Sequence, residues 1–200
     1  AEAVRRTVQA APKLGVRALT LYAFSADNWR RPPEEVAALM ELMEAYLLRE
    51  STECVKNGVR LNIIGRRDRL APRLVAAIES AEQATAAASG LLVRIAVDYS
   101  GRDAILYAAA RLARSGERAG RSRFAELLAE ATNAVSPAAD VDLLIRTSGE
   151  QRLSDFLLWE CAYAELLFVP KMWPDFTAAD LEQALESFHS RQRRYGGLAA

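Results

Sequence analysis

Short apolar runs alternate with helical stretches along this chain, and that order constrains its fold more than any other feature. "VRALTLYAF" (Val16–Phe24), "VRLNIIG" (Val59–Gly65), "LLVRIAVDYSG" (Leu91–Gly101), "VDLLIRTSG" (Val141–Gly149) and "AELLFVP" (Ala164–Pro170) read as strands. Val4, Val8, Ala11 and Leu14 keep helical spacing up to Gly15. Glu34–Asn57 reads as a long helix, with Val36, Leu39, Met40, Met43 and Leu47 on one stripe and Gly58 as its stop. Pro72–Ser89, Asp103–Arg114, Arg123–Thr132 and Thr177–Arg193 supply further helices. Strands joined through helices pair in parallel, because each helix carries the chain back to the starting end of the sheet. The expected fold is therefore α/β, a single domain with a mostly parallel central sheet flanked by helices. Two hundred residues are enough for one such core. Residues 115–122, "SGERAGRS", form the clearest surface loop.

Open parallel sheets collect ligands beyond the carboxyl ends of their strands, and three strand ends here are polar. Phe24 leads into Ser25-Ala26-Asp27-Asn28-Trp29-Arg30-Arg31, and Val97 into Asp98-Tyr99-Ser100-Gly101-Arg102. Ile145 leads into Arg146-Thr147-Ser148-Gly149-Glu150-Gln151-Arg152-Leu153-Ser154. Guanidinium forks, hydroxyls and glycine amides are the groups that hold phosphate oxygens, so these loops suit a diphosphate. Taken singly, each arginine is more often a surface or ion-paired residue; together at strand ends they point to an anion site. The chain lacks a G-x-x-x-x-G-K-[ST] loop and a G-x-G-x-x-G turn, so nucleotide folds gain no support.

Charge narrows the partners. The 26 basic and 26 acidic residues cancel, which argues against general nucleic-acid binding but not against a local phosphate site. Two separated cysteines, Cys54 and Cys161, with one histidine, His189, read as buried thiols of a reducing compartment rather than a disulfide or zinc site. Without an apolar run of about 20 residues or a signal peptide, the expected location is cytoplasmic. Glu165 is a lone carboxylate in the apolar "CAYAELLF", where it serves either as half of a salt bridge or as a Mg²⁺ ligand. Trp29, Trp159 and Tyr163 suit either an apolar tunnel or plain core.

"LTLYAFSADNWRRPPEEV", "DLLIRTSGEQRLSDFLLWECAYAEL", "WPDF" and "RQRRYGG" together resemble the cis-prenyltransferase family, typified by undecaprenyl diphosphate synthase. The resemblance spans about Ala3–Gly197, with four motifs in family order. It implies an enzyme that adds isopentenyl diphosphate to an allylic diphosphate with Mg²⁺, forming Z double bonds. It also implies a homodimer, and a peripheral membrane contact for product release. Arg146, Arg152 and Ser154 match positions that bind isopentenyl diphosphate, and Glu150 matches a glutamate of the same motif. Glu165 matches the carboxylate that helps hold Mg²⁺. Ser25, Asn28, Trp29 and Arg31 match the loop beside the reacting carbons, where Asn28 and Arg31 place the substrate or accept its proton. Arg194 and Gly196 match a C-terminal Arg-x-Gly element that reaches the partner subunit's site.

Two departures accompany the resemblance. Gln151 stands where many relatives carry histidine, so metal binding leans on Glu165. The family's "DGNGRWA"-type loop, which holds Mg²⁺ and the allylic diphosphate, does not occur in these 200 residues. Ala1 opens inside a helical pattern, so the expectation is a longer native polypeptide, with this piece catalytically incomplete. The preferred reading is a synthase of long Z-polyprenyl diphosphates, undecaprenyl from farnesyl diphosphate. Small Ala23 favours elongation, and an apolar tunnel walled by the Glu34–Asn57 helix holds the product. The alternatives are a short- or medium-chain Z-prenyl diphosphate synthase and a noncatalytic partner subunit. A partner would have no use for Arg146, Arg152, Ser154 and Glu165 together.

Overall fold

The computed structural model describes residues 2–118 and 120–191. The chain divides into two compact units, one from Val16–Ala138 and one from its two ends, up to Gly15 and from Ala139 on. The first helix, α1 (Glu2–Ala10), belongs to the unit built from the ends.

Unit Val16–Ala138 carries β1 (Ala18–Ser25), α2 (Pro33–Lys56), β2 (Arg60–Ile64), α3 (Pro72–Thr85), β3 (Leu92–Tyr99), α4 (Gly101–Ser115) and α5 (Arg121–Ala131). The three strands pair in parallel in the order β1-β3-β2, with α2 and α3 as the return connections. β3 lies in the middle because its side chains suit burial on both faces: Val93 to Tyr99 are all buried. Two of those residues are charged. Arg94 donates to the Ser136 carbonyl at 3.2 Å, and Asp98 is fully buried against Arg69. Asn62 of β2 is buried too, spending its amide on Glu82 and the Asn133 carbonyl and its oxygen on the Val135 amide. Buried polar residues are tolerated here because each makes at least one hydrogen bond or ion pair, although the Arg94 Nε itself has no acceptor.

Both ladders of this sheet hold register until its carboxyl end, where β1 and β3 slip. Tyr22 opposes Ala96, Phe24 opposes Val97 and Ser25 opposes Tyr99, so Ala23 and then Asp98 are each passed over. Asp98 takes a left-handed backbone, φ 50°, which a carboxamide or carboxylate residue tolerates better than most. Beside it Gly65 sits at φ 123°, where an added Cβ would lie 1.9 Å from the Val97 carbonyl oxygen. Only glycine fits that approach.

The second unit pairs β4 (Leu143–Arg146) with β5 (Glu165–Phe168) in parallel and adds α6 (Ala178–His189). α1 is tied to the segment before α6 by Arg6, whose Nη2 donates to the carbonyls of Pro174 and Phe176. Gly15 closes the N-terminal helical stretch in the left-handed conformation, as the sequence pattern anticipates. All five expected strands form, and a helix forms within each expected stretch, though α3 ends at Thr85 rather than Ser89 and α6 at His189, with 192 and 193 outside the described residues. β4 is shorter than Val141–Gly149 and β5 shorter than Ala164–Pro170, the two pairing over four positions.

The α2 stripe is not plain core. Val36 and Leu47 are buried, whereas Leu39, Met40 and Met43 keep partial exposure. Trp159 and Tyr163 are exposed rather than packed inside. Among the described residues no helix is long and apolar enough to cross a membrane.

Candidate functional site

The first cluster stands at the carboxyl end of the three-stranded sheet. Ser25, the last residue of β1, caps a short 3₁₀ turn over Ala26–Arg30. Its hydroxyl accepts the Asp27 amide at 3.1 Å, while its own amide donates to Asn28 Oδ1 at 3.0 Å. This reciprocal capping box fixes the turn and leaves the Asn28 NH₂ group available to a ligand. Arg31 follows, and its Nη1 donates to Glu35 Oε1 at 2.8 Å in the first turn of α2. A guanidinium does not give up its proton, so Arg31 can hold an anion but not accept a proton. Trp29 meets Phe24 edge-on, with ring centroids 5.4 Å apart, and its indole N–H is buried without an acceptor.

Sequence reasoning passed over the loop after β2. Its signal was plain: Arg66-Arg67-Asp68-Arg69 puts three arginines and an aspartate at a strand end. Arg66 makes a two-pronged bond to Asp68, which holds the Asp68 carboxyl below its usual range. Arg67 turns to Glu82 and the Ile63 carbonyl. Arg69 reaches Asp98, with Nε donating to Oδ2 at 2.9 Å and Nη2 to Oδ1, and its guanidinium carbon lies 5.4 Å from the Trp29 ring centroid. Ser100, which caps α4 by accepting the Asp103 amide, and Arg102 in the first turn of α4 complete this edge.

The second cluster follows β4. Between Arg146 and β5 the chain is irregular, with left-handed backbone at Ser148, Gly149, Ser154, Asp155 and Leu157. Such concentrations of sparsely populated conformations persist where surrounding contacts impose them, typically at ligand clamps. Here the Ser148 amide donates to the Lys171 carbonyl at 2.8 Å and the Gly149 amide to the Val169 carbonyl at 3.0 Å. Arg152 forms an ion pair with Glu150, both well exposed. Arg146, Glu150, Arg152 and Ser154 thus share one loop system.

Glu165 stands apart from that loop. The β4–β5 register sets Glu165 against Leu143 and Phe168 against Arg146. Glu165 and Arg146 are thus three residue steps apart along the strands, roughly 10 Å. Its carboxylate accepts Arg191 Nη1 at 2.8 Å. A single partly exposed carboxylate fits Mg²⁺, which takes one or two carboxylates and fills its octahedron with phosphate oxygens and water. Among the described residues no three His, Cys, Asp or Glu side chains gather as a metal cage. Arg194 and Gly196 lie outside the described residues. A cavity of about 240 Å³ between β5 and α6, lined by Leu167, Val169, Phe176 and Ala184, touches none of the expected site residues.

Comparison with known proteins gives a consistent result. The family model described as undecaprenyl diphosphate synthase matches residues 1–196. Isoprenyl transferase 1 of Bradyrhizobium diazoefficiens is 59% identical over 199 residues, covering 100% of this chain and 79% of that protein. A ditrans,polycis-undecaprenyl-diphosphate synthase, (2E,6E)-farnesyl-diphosphate specific, of Shewanella oneidensis is 46% identical over 98% of this chain and 72% of that protein. Among solved structures, a probable undecaprenyl diphosphate synthase from Campylobacter jejuni superimposes with a TM-score of 0.88 at 31% identity, over 98% of this chain and 90% of that one. Lavandulyl diphosphate synthase from Lavandula x intermedia, in complex with dimethylallyl diphosphate, gives 0.90 at 34% identity, over 98% of this chain and 85% of that one.

Proposed function

The chain belongs to the undecaprenyl diphosphate synthase family of cis-prenyltransferases, and on that premise we propose that it joins isopentenyl diphosphate to farnesyl diphosphate, repeatedly, to give undecaprenyl diphosphate. The observation that supports the reading is the irregular loop after β4, with left-handed backbone at Ser148, Gly149, Ser154, Asp155 and Leu157, in which Arg152 and Ser154 follow Arg146 within nine residues. These residues take the isopentenyl diphosphate, two guanidinium forks and a hydroxyl meeting its oxygens. Glu150 holds Arg152 in reserve until the phosphate replaces it.

Ser25, Asn28, Trp29 and Arg31 serve the allylic substrate. Asn28 presents its NH₂, and Arg31 exchanges Glu35 for an anionic oxygen. In each turn the allylic C–O bond breaks with its electron pair leaving on the diphosphate. The isopentenyl double bond attacks the carbon so exposed, and the proton from its C2 passes to the released diphosphate. Arginines stabilise the charge on the leaving group more in the transition state than before it. Glu165 would hold Mg²⁺, which when bound supplies further positive charge against the diphosphate oxygens. Arg194 and Gly196 belong to the same reading as a contribution to the partner's site in a homodimer. Cytoplasmic location, with a peripheral membrane contact at product release, completes it.

The growing chain occupies an apolar tunnel beside α2. Partial exposure of Leu39, Met40 and Met43, and the bulged, exposed Ala23 at the end of β1, support that placement. The likeness to lavandulyl diphosphate synthase keeps a short-chain product as the second reading. One assay separates them: the intact protein with radiolabelled isopentenyl diphosphate and primers of increasing length. Long products from farnesyl diphosphate support the proposal, and products of one or two additions support the second reading. No incorporation from any primer overturns both.

A further inference from the structure

Three observations meet at one residue that the sequence motifs do not mark. Asp98 is passed over in the β1–β3 register, holds a left-handed backbone and is wholly buried. Its carboxylate grips Arg69 in the two-pronged geometry that orients a guanidinium plane. That guanidinium then lies against the Trp29 ring. The indole N–H has no hydrogen bond, and the ring meets the Phe24 edge and the Arg69 guanidinium.

We propose that Arg69, clamped by Asp98, is a positioning residue that holds Trp29 and with it the Ser25–Arg31 turn in the arrangement the allylic substrate requires. The proposal rests on the function given above for that turn. A buried carboxylate would be costly without its partner, so Arg69 is not free to wander. Its guanidinium, 5.4 Å from the ring centroid, restricts the indole at a cation–π separation within about 6 Å. The capping box then transmits the ring position to Asn28, since both lie in the same 3₁₀ turn. Small displacements of a positioned group cost up to about a hundredfold in rate.

The chain's three tryptophans allow a direct test, because Trp159→Phe and Trp173→Phe leave Trp29 as the sole emitter. In that background Arg69→Gln is expected to raise acrylamide quenching of Trp29 at least about twofold. In the otherwise native protein it is expected to lower kcat about ten- to a hundredfold, with KM for isopentenyl diphosphate within about threefold. Arg69→Lys keeps the charge without the planar fork and should recover only part of both effects. Asp98→Asn, which keeps the shape, guards against loss of fold in the arginine variants and should shift quenching in the same direction. Unaltered quenching and unaltered kcat in Arg69→Gln overturn the proposal, as does full recovery by lysine. If the native protein condenses no substrates yet Arg69→Gln still frees the Trp29 ring, the function assigned to the turn falls while the Asp98–Arg69–Trp29 coupling stands.

Discussion

Arg191 donates from Nη1 to the Glu165 carboxylate at 2.8 Å, across 26 residues of sequence, so the carboxylate proposed for Mg²⁺ is neutralised by an arginine before any metal arrives. A cation and Arg191 compete for the same oxygens. Arg191→Ala should therefore tighten Mg²⁺ binding, and Glu165→Gln should weaken it about tenfold. Titration calorimetry with Mg²⁺ and isopentenyl diphosphate, followed by the metal dependence of activity, measures both. Equal metal affinity in Glu165→Gln and the native protein would remove Glu165 from the metal site.

Arg152 is half of an exposed ion pair with Glu150, which contributes little to stability. Arg152→Ala is therefore expected to leave the melting temperature nearly unchanged. It should raise KM for isopentenyl diphosphate about tenfold or more and depress kcat. Steady-state kinetics with the isopentenyl substrate varied decides this. Native KM and kcat would take the residue out of the binding loop.

Gly65 offers the reverse case, a residue with no chemistry and a strict steric role. At φ 123°, and with the Val97 oxygen 1.9 Å from where a methyl carbon would stand, Gly65→Ala must displace the end of β3. The expected loss is about 3 kcal/mol or more in urea unfolding. A variant as stable as the native protein would contradict the geometry.

Asp180 accepts both Lys171 Nζ, at 2.6 and 2.7 Å, and the Thr177 hydroxyl and amide at the start of α6. Lysine first and threonine second hold its carboxyl down at about 2. The sign follows from linkage. An ordinary unfolded aspartate titrates near about 3.9, so this stabilisation is full above that pH and is lost as pH falls through about 2. Asp180→Asn should melt earlier than the native protein at neutral pH, with the gap closing between about pH 4 and pH 2. Thermal melts across that window check it, and a gap independent of pH would show that the charge plays no part.

The two thiols should be slow to react. Burial, reinforced by Glu50 and Glu53 beside Cys54 and by Glu160 beside Cys161, pushes each up to about 11. The thiolate is the reactive form, so alkylation of the folded protein at pH 8 should run well below that of the unfolded chain. Mass spectrometry of iodoacetamide-treated protein with and without urea reads the difference.

Much of this protein is legible along the chain because the relevant forces are local. Strand and helix periodicity, and Gly15 and Gly58 as stops, depend on neighbours a few residues away. The arginines of the loop after β4 were visible for the same reason, a dense polar run between apolar segments, and resemblance to a family supplied their roles. Partnerships across the fold were not legible. Asp98 and Arg69 are 29 residues apart, and nothing in either segment alone says that β3 will lie between β1 and β2 or slip its register at Asp98. Glu165 reads from sequence as ion pair or metal ligand, and its partner Arg191 lies 26 residues away, beyond any local pattern. Patterns set by steric neighbours survive in one dimension, whereas the choice of charge partner depends on strand order and register, which only the packed chain decides.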